Sequence, residues 1–79
     1  MVMEELIGFV ATNHKAGKIL AVLDSKGPMD SVTIAKTTRI AGADKAIEEL
    51  AVKKLISQSG EKYALTDLGK QVSHRLRSV

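Results

Sequence analysis

The 79-residue sequence predicts a single domain, residues 1–79, of the α+β class that is mainly helical, and three observations lead to this prediction. Apolar residues recur every three or four positions over most of the chain, which is typical of amphipathic helices around one core. Only 3% of the residues are aromatic, so we expect a core of Ile, Leu, Val and Ala. The stretch LISQSGEKYALTDLGK, at 55–70, instead predicts a tight hairpin followed by a final helix.

The first half of the chain predicts two helices. The first covers 4–11, and Thr12 or Asn13 is expected to cap the second, at 14–24, because these side chains accept hydrogen bonds from free helix N–H groups. One face of the second helix carries Ala16, Ile19, Leu20 and Leu23. The Gly-Pro pair at 27–28 predicts its end, since Gly caps helix C-termini and Pro cannot continue a helix.

A short helix, a turn and a third helix are expected next. Asp30 or Ser31 is predicted to cap the short helix. Its expected apolar anchors are Val32, Ile34 and Ala35. Thr is a poor residue inside helices, so the stretch TTRI at 37–40 predicts a turn in which Ile40 is an apolar plug. The third helix is predicted at 41–54, with Ala43, Ile47 and Leu50 facing the core.

The hairpin is predicted to have strands at 55–58 and 62–65, with a tip at 59–60 because Gly tolerates the positive φ of hairpin turns. A centred tip pairs Ile56 with Tyr63 on an apolar face. Two strands alone are only marginally stable in water.

The segments on either side complete the expected fold. Residues 28–29 are the one remaining segment that could form a third strand beside the hairpin. Thr66 is expected to cap a last helix at 67–77. The apolar residues of that helix are Leu68, Val72 and Leu76.

The chain contains no Cys, which excludes disulfides and thiolate metal sites. His14 and His74 are far apart and have no neighbours at metal-ligand spacing. There is no glycine-rich phosphate loop, and Glu48 and Glu49, being consecutive, point to different sides of a helix. We therefore expect a non-enzyme with no catalytic residues, no metal and no cofactor.

No apolar run reaches the roughly 18 residues of a membrane span, and the N-terminus does not resemble a signal peptide. A cytoplasmic protein without a membrane partner is therefore expected. The net charge of +3 is unevenly placed. Residues 1–35 carry three basic and four acidic side chains, whereas residues 36–79 carry nine and five. The basic excess suits a polyanionic partner, although such a charge is also common on surfaces that bind nothing.

Four phrases, in this order and spacing, resemble winged helix-turn-helix proteins, in particular small archaeal and bacterial regulators of the MarR and ArsR type. They are KILAVLDSKGPM (18–29), IAKTTRI (34–40), AIEELAVKKLI (46–56) and YALTDLGKQV (63–72). The resemblance implies a three-helix core, a two- or three-stranded wing and a C-terminal helix. It also implies transcriptional regulation through double-stranded DNA, with the third helix in the major groove and the hairpin wing on the backbone.

On this resemblance, the expected DNA-binding residues lie in the second and third helices of the core, the turn between them, and the wing. They are Lys36, Thr38, Arg39, Gly42, Asp44, Lys45, Glu48, Ser59 and Lys62. The same side chains are solvated surface if the protein does not bind DNA. The third helix is about two residues shorter than the family pattern at its start. The carboxylates on this third helix are repelled by phosphates, but they can accept a hydrogen bond from cytosine N4.

Two further expectations concern partners. A homodimer is expected through the apolar N-terminal patch of Leu6, Phe9 and Val10 or through the last helix. The alternative function is a winged helix module that binds another protein without binding DNA, and the short, partly acidic third helix motivates it. RNA binding is a less favoured hypothesis, because aromatic side chains for stacking on bases are missing.

Overall fold

The structure is a computed structural model that describes residues 3–77. Within them it contains five helices and a three-stranded antiparallel sheet. In chain order the elements are α1 (Met3–Thr12), α2 (His14–Lys26), β1 (Met29–Asp30), α3 (Ser31–Thr38), α4 (Ala43–Val52), β2 (Ile56–Ser59), β3 (Lys62–Leu65) and α5 (Asp67–Arg77). The predicted α+β class with mainly helical content is therefore confirmed. None of these helices is both long enough and apolar enough to cross a bilayer.

Three helix boundaries follow from local chemistry that the sequence indicates. The Asn13 side chain accepts a hydrogen bond from the Ala16 amide at 3.2 Å and begins α2. The Asp30 carboxylate accepts one from the Thr33 amide at 2.8 Å and begins α3. Gly27, at φ +87°, ends α2. The sequence left two candidate caps for each of these two helices. In the structure Asn13 caps α2 and Asp30 caps α3.

Helix α3 covers the stretch SVTIAKTT that the sequence predicts as a short helix, although the turn expected at 37–40 begins only after Thr38. Helix α3 continues through Thr38, whose hydroxyl donates to the Ile34 carbonyl oxygen at 2.7 Å. This bond satisfies the Thr side chain inside a helix. The chain leaves the helix at Arg39, which adopts the left-handed conformation at φ +57°.

Helix α4 is shorter than the predicted 41–54 at both ends. Its N-cap is Gly42 at φ +73°, so residues 41–42 belong to the turn. It ends at Val52, and Lys54 turns the chain at φ +62°. Positive φ interrupts a right-handed helix, which explains why the apolar periodicity extends further than the helix itself.

Val32 was predicted to anchor α3 in the core, and this prediction is wrong, because its side chain is 60% exposed. Ile34 is fully buried and anchors the helix, while Ala35 is half-buried. Capping at Asp30 sets where the helix begins and so turns the second residue, Val32, toward solvent. Ile40 is half-buried against the core, in the turn as expected.

The sheet order is β1-β3-β2, and the third strand lies one residue later than the predicted 28–29. The expected pairing of Ile56 with Tyr63 is wrong, because Ile56 pairs with Leu65 and Gln58 pairs with Tyr63. The two tip residues are Gly60, at φ +63°, and the residue after it. Gly in the first tip position is typical of a type II′ turn.

This register still keeps the apolar side chains on one face. The partner of each strand residue shifts by two positions, and side chains alternate with a period of two. Ile56 is therefore buried, and Tyr63 and Leu65 pack half-buried against the same core.

Helix α2 is the centre of the core, since it packs against the other four helices and against β3. The largest fully buried side chains are Leu6, Ile19, Leu20, Ile34, Leu50, Leu55, Ile56 and Val72. Each such aliphatic side chain contributes roughly 1.5–3 kcal/mol through removal from water. The expectation of an aliphatic core is met, with both aromatic rings at its edge.

The start of α5 is held against the turn that follows α4. The Thr66 hydroxyl donates to the Lys54 carbonyl oxygen at 2.7 Å and accepts a hydrogen bond from the Gly69 amide at 3.0 Å. The Thr66 amide donates to the Leu55 carbonyl oxygen at 3.1 Å. At Gly69, a side-chain Cβ would overlap that same Leu55 carbonyl. The predicted Thr66 cap and the predicted range of the last helix are thus both confirmed.

We predict opposite effects for two glycine substitutions in helices. Gly69→Ala lowers the free energy of unfolding by about 1–3 kcal/mol, because the new methyl group forces α5 away from Leu55. Gly8→Ala raises it by about 0.5–1 kcal/mol, because no atom lies within 4 Å of the new Cβ and Ala favours the helix. Urea unfolding monitored by circular dichroism measures both. If both substitutions changed the free energy of unfolding in the same direction, this result would contradict the close approach at Gly69.

Candidate nucleic-acid interface

The end of α3 and the following turn present two of the expected cations. Lys36, in the last turn of α3, and Arg39, at its C-cap, are both exposed. The Arg39 amide donates to the Ala35 carbonyl oxygen at 2.9 Å, which fixes the position where its side chain leaves the backbone. Thr38, also expected at the interface, is half-buried and directs its hydroxyl proton back into α3. Its oxygen can therefore only accept a further bond, which does not suit a phosphate.

Helix α4 presents a mixed face to solvent. Asp44, Lys45 and Glu48 are exposed, as expected for the candidate interface. The opposite face holds Ala43, Ala46, Ile47 and Leu50 in the core. Ten residues give a helix about 15 Å long, which is comparable with a major groove about 12 Å wide. Gly42 is exposed and begins α4 without a side-chain cap.

The hairpin tip presents the remaining expected residues, Ser59 and Lys62, which pair directly across β2 and β3 and are both exposed. On its other side, Lys62 pairs with Asp30 across β1 and β3. Residues that pair directly in an antiparallel sheet point to the same face. Asp30, Lys62 and Ser59 therefore form one row across the outer face of the sheet.

The Asp30 carboxylate connects this row with α3. Hydrogen bonds from the Thr33 side chain and backbone are the main causes that lower the pKa of Asp30 below its usual value of 3.8. Partial desolvation opposes them, and the positive charges of Lys62 and Lys36 lower the pKa further. One lysine from β3 and one from α3 thus contribute to the electrostatic field at the same carboxylate.

Lys15 belongs to the same surface, although the sequence did not suggest it. Its Nζ lies 3.8 Å from the position that a Cβ on Gly42 would occupy. The first turn of α2 is therefore next to the turn between α3 and α4. No local motif signals this contact, because it depends on how the helices pack. Exposed cations on and around α3, α4 and the hairpin include Lys15, Lys36, Arg39, Lys45 and Lys62.

A second surface lies between α1 and the C-terminal half of α4. Val52 is 80% exposed, and the Lys53 Nζ lies 4.7 Å from the centroid of the Phe9 ring, a cation–π geometry. The groove here has a volume of about 590 Å³ and is lined by Phe9, Lys45, Glu48, Glu49, Val52 and Lys53. It combines exposed apolar groups with charges of both signs.

No cluster of three or more His, Cys, Asp or Glu side chains that could hold a metal occurs among residues 3–77. Comparisons of the chain with protein-family models, with curated proteins and with solved structures found no match. Function is therefore inferred from the chain's own residues.

We predict that Asp30 makes stability depend on pH in the acid range. Its pKa is lower in the folded chain than in the unfolded chain, so its ionised form stabilises the fold above the unfolded pKa of 3.8. This contribution is lost as the pH falls through the folded pKa. Asn caps helices as well as Asp does, so Asp30→Asn removes only the charge.

Chemical unfolding of wild type and Asp30→Asn from neutral pH to about pH 2 measures this contribution. The difference in free energy of unfolding should be constant at neutral pH and should shrink below about pH 4. A difference that does not change with pH would contradict the lowered pKa.

Proposed function

We propose that the chain is a winged helix-turn-helix domain that binds double-stranded DNA and acts in transcriptional regulation. In this proposal α3 and α4 form the helix-turn-helix, α4 enters the major groove, and the β2–β3 hairpin is the wing on the phosphate backbone. The sheet order and the succession of α2, β1, α3, α4 and the hairpin support this reading of the fold. A fold alone does not determine function, so the proposal rests on the surface.

The observation that carries the proposal is the position of the exposed cations. They come from three parts of the sequence: the start of α2, the segment from the end of α3 to the start of α4, and β3. Lys15 lies beside Gly42 in the turn, while Lys62 pairs across the sheet with Asp30, the residue that begins α3. Phosphate contacts by Lys and Arg supply most of the affinity of such modules and fix their orientation on the duplex.

Asp44 and Glu48 affect which DNA sequence the proposed interface would prefer. Carboxylates on α4 are repelled by phosphates, so they weaken contact with the backbone. In the major groove they can accept a hydrogen bond from the N4 amino group of cytosine. We therefore infer that the cations around α4 supply affinity and that α4 itself favours sites with a C·G pair.

We further propose a homodimer through α1 and α5, which pack against each other. In the expected N-terminal patch, Leu6 and Val10 are buried in the protomer's own core. The available surface is instead charged, with exposed Glu4 and Glu5 on α1. A groove of about 410 Å³ is lined by Met3, Lys70, Gln71, His74 and Arg75. A two-fold axis would place the acidic start of α1 against the basic face of α5 twice.

The alternative function is a protein-interaction module without DNA binding. The groove beside Val52 and Phe9 favours it, because an exposed apolar group next to an aromatic ring is typical of protein interfaces. Under this alternative, the acidic side chains of α4 belong to a partner surface. The DNA experiment described next separates the two functions.

We predict that the protein binds a random-sequence duplex at about 50 mM salt and that its affinity falls steeply as salt rises. Single replacements of Lys36, Arg39, Lys45 or Lys62 by Ala should each reduce the slope of log affinity against log salt by about 0.9, because each removes one phosphate contact. Fluorescence anisotropy at several salt concentrations measures the slopes.

Lys26→Ala is the matched control for these variants. Lys26 is exposed on the last turn of α2, roughly 16 Å along the helix axis from Lys15. It should leave the slope unchanged. A folded wild-type protein that shows no binding at about 50 mM salt would refute DNA binding and favour the protein-interaction module.

For the dimer we predict that two sets of charge reversals each weaken self-association at least about tenfold, because like charges then face each other across the interface. The first set is Glu4→Lys with Glu5→Lys, and the second is Lys70→Glu with Arg75→Glu. An equimolar mixture of the two variants should associate again. Sedimentation equilibrium measures all three samples, and a wild-type chain that stays monomeric at every accessible concentration contradicts the dimer.

A further inference from the structure

We propose that Asp30 is an internal counter-ion that limits how tightly Lys36 and Lys62 bind phosphate, and so sets the affinity of the interface. This inference rests on the proposed DNA-binding function. It assigns to Asp30 a role as a positioning residue that acts through the two lysines, without touching DNA itself.

The geometry places the carboxylate between two elements that both carry a cation. Asp30 is the last residue of β1, and Lys62, the first residue of β3, is its direct partner in the sheet. In such pairs the Cβ atoms are about 4.5–5.5 Å apart, which is within reach of the long Lys side chain. Asp30 also begins α3, the helix whose last turn carries Lys36.

The carboxylate stays at this position because the fold holds it there. The Thr33 amide donates to Oδ1 at 2.8 Å, and the Thr33 side chain also bonds to the carboxylate. These bonds hold the Asp30 carboxylate at the start of α3. Both lysines are exposed and flexible, so each can turn either toward Asp30 or toward a phosphate.

Capping α3 does not by itself need a negative charge at this position. Ser and Asn are as effective as Asp at helix N-caps. The charge of Asp30 is therefore an additional property, and its direct partner in the sheet is Lys62, one of the lysines proposed to bind phosphate. A phosphate must compete with this fixed carboxylate for both side chains.

Asp30→Asn keeps the cap and removes the competitor. We expect it to bind a random-sequence duplex about three- to tenfold more tightly than wild type at about 50 mM salt, since exposed ion pairs are individually weak. Asp30→Ser, a second neutral cap, should give the same gain. Asp67→Asn removes one charge from an exposed residue at the start of α5 and should change affinity less than about twofold.

An equal gain in the Asp67→Asn control would overturn the specific role of Asp30, because net charge alone would then explain the effect. No gain in either Asp30 variant would overturn it as well. Circular dichroism on all variants checks that α3 is intact, so that a loss of structure is not read as a loss of binding.

A second measurement tests the pairing without DNA. In the free protein, Lys62→Met and Lys36→Met should each raise the pKa of Asp30, and the rise should be larger for Lys62. The pKa is measured from the NMR chemical shift of the Asp30 carboxyl carbon during an acid titration. Lys26→Met should leave this pKa unchanged. An unchanged Asp30 pKa in both lysine variants overturns the pairing.

The two measurements distinguish the two ideas. If the pKa rises as expected but neither wild type nor any Asp30 variant binds the duplex, the proposed DNA-binding function fails and the affinity role fails with it. If the duplex binds but the pKa does not respond, DNA binding stands and Asp30 is only a cap.

Discussion

The fold depends on the contact between the backbone of Gly69 and the carbonyl group of Leu55. At this point α5 approaches the turn after α4 so closely that no side chain fits between them. Thr66 completes the junction, since its single hydroxyl connects the Lys54 carbonyl with the Gly69 amide. The end of α4, the start of β2, the end of β3 and the start of α5 therefore meet in one hydrogen-bonded cluster. Apart from the Thr66 hydroxyl, backbone atoms make these contacts.

The junction determines how the hairpin is oriented relative to α4, and α2 then fills the space beneath both. Buried Leu55 and Ile56 extend the core from α4 into the sheet. On the far side of the sheet, β1 pairs with β3 and passes directly into α3 at Asp30. The helix pair and the hairpin are thus joined twice, once at Leu55 and once at Asp30. The backbone positions from which Lys36 and Lys62 extend are consequently fixed relative to each other.

Features that depend on neighbouring residues could be predicted from the sequence, whereas those that depend on packing could not. The caps at Asn13, Asp30 and Thr66 involve bonds over three residues, so residue type and spacing indicate them. The ends of α3 and α4 depend on Arg39 and Lys54 in left-handed conformations, which no Arg or Lys signals in a sequence. The expected interface residues on α3, α4 and the hairpin lie on exposed or half-buried surface. The position of Lys15 beside Gly42 depends on how α2 packs against the turn, which no local motif signals.

The two halves of α4 favour different kinds of partner. Its first half stands beside the turn and the lysines of α2 and α3, where a polyanion gains from several cations at once. Its second half ends at exposed Val52 next to Phe9, where removal of apolar surface from water is the available driving force. The first interaction weakens with salt, whereas the second is largely insensitive to it. Because Lys45 and Glu48 also line the groove beside Val52, the two surfaces share side chains, and a duplex on the first half would compete with a protein partner in the groove.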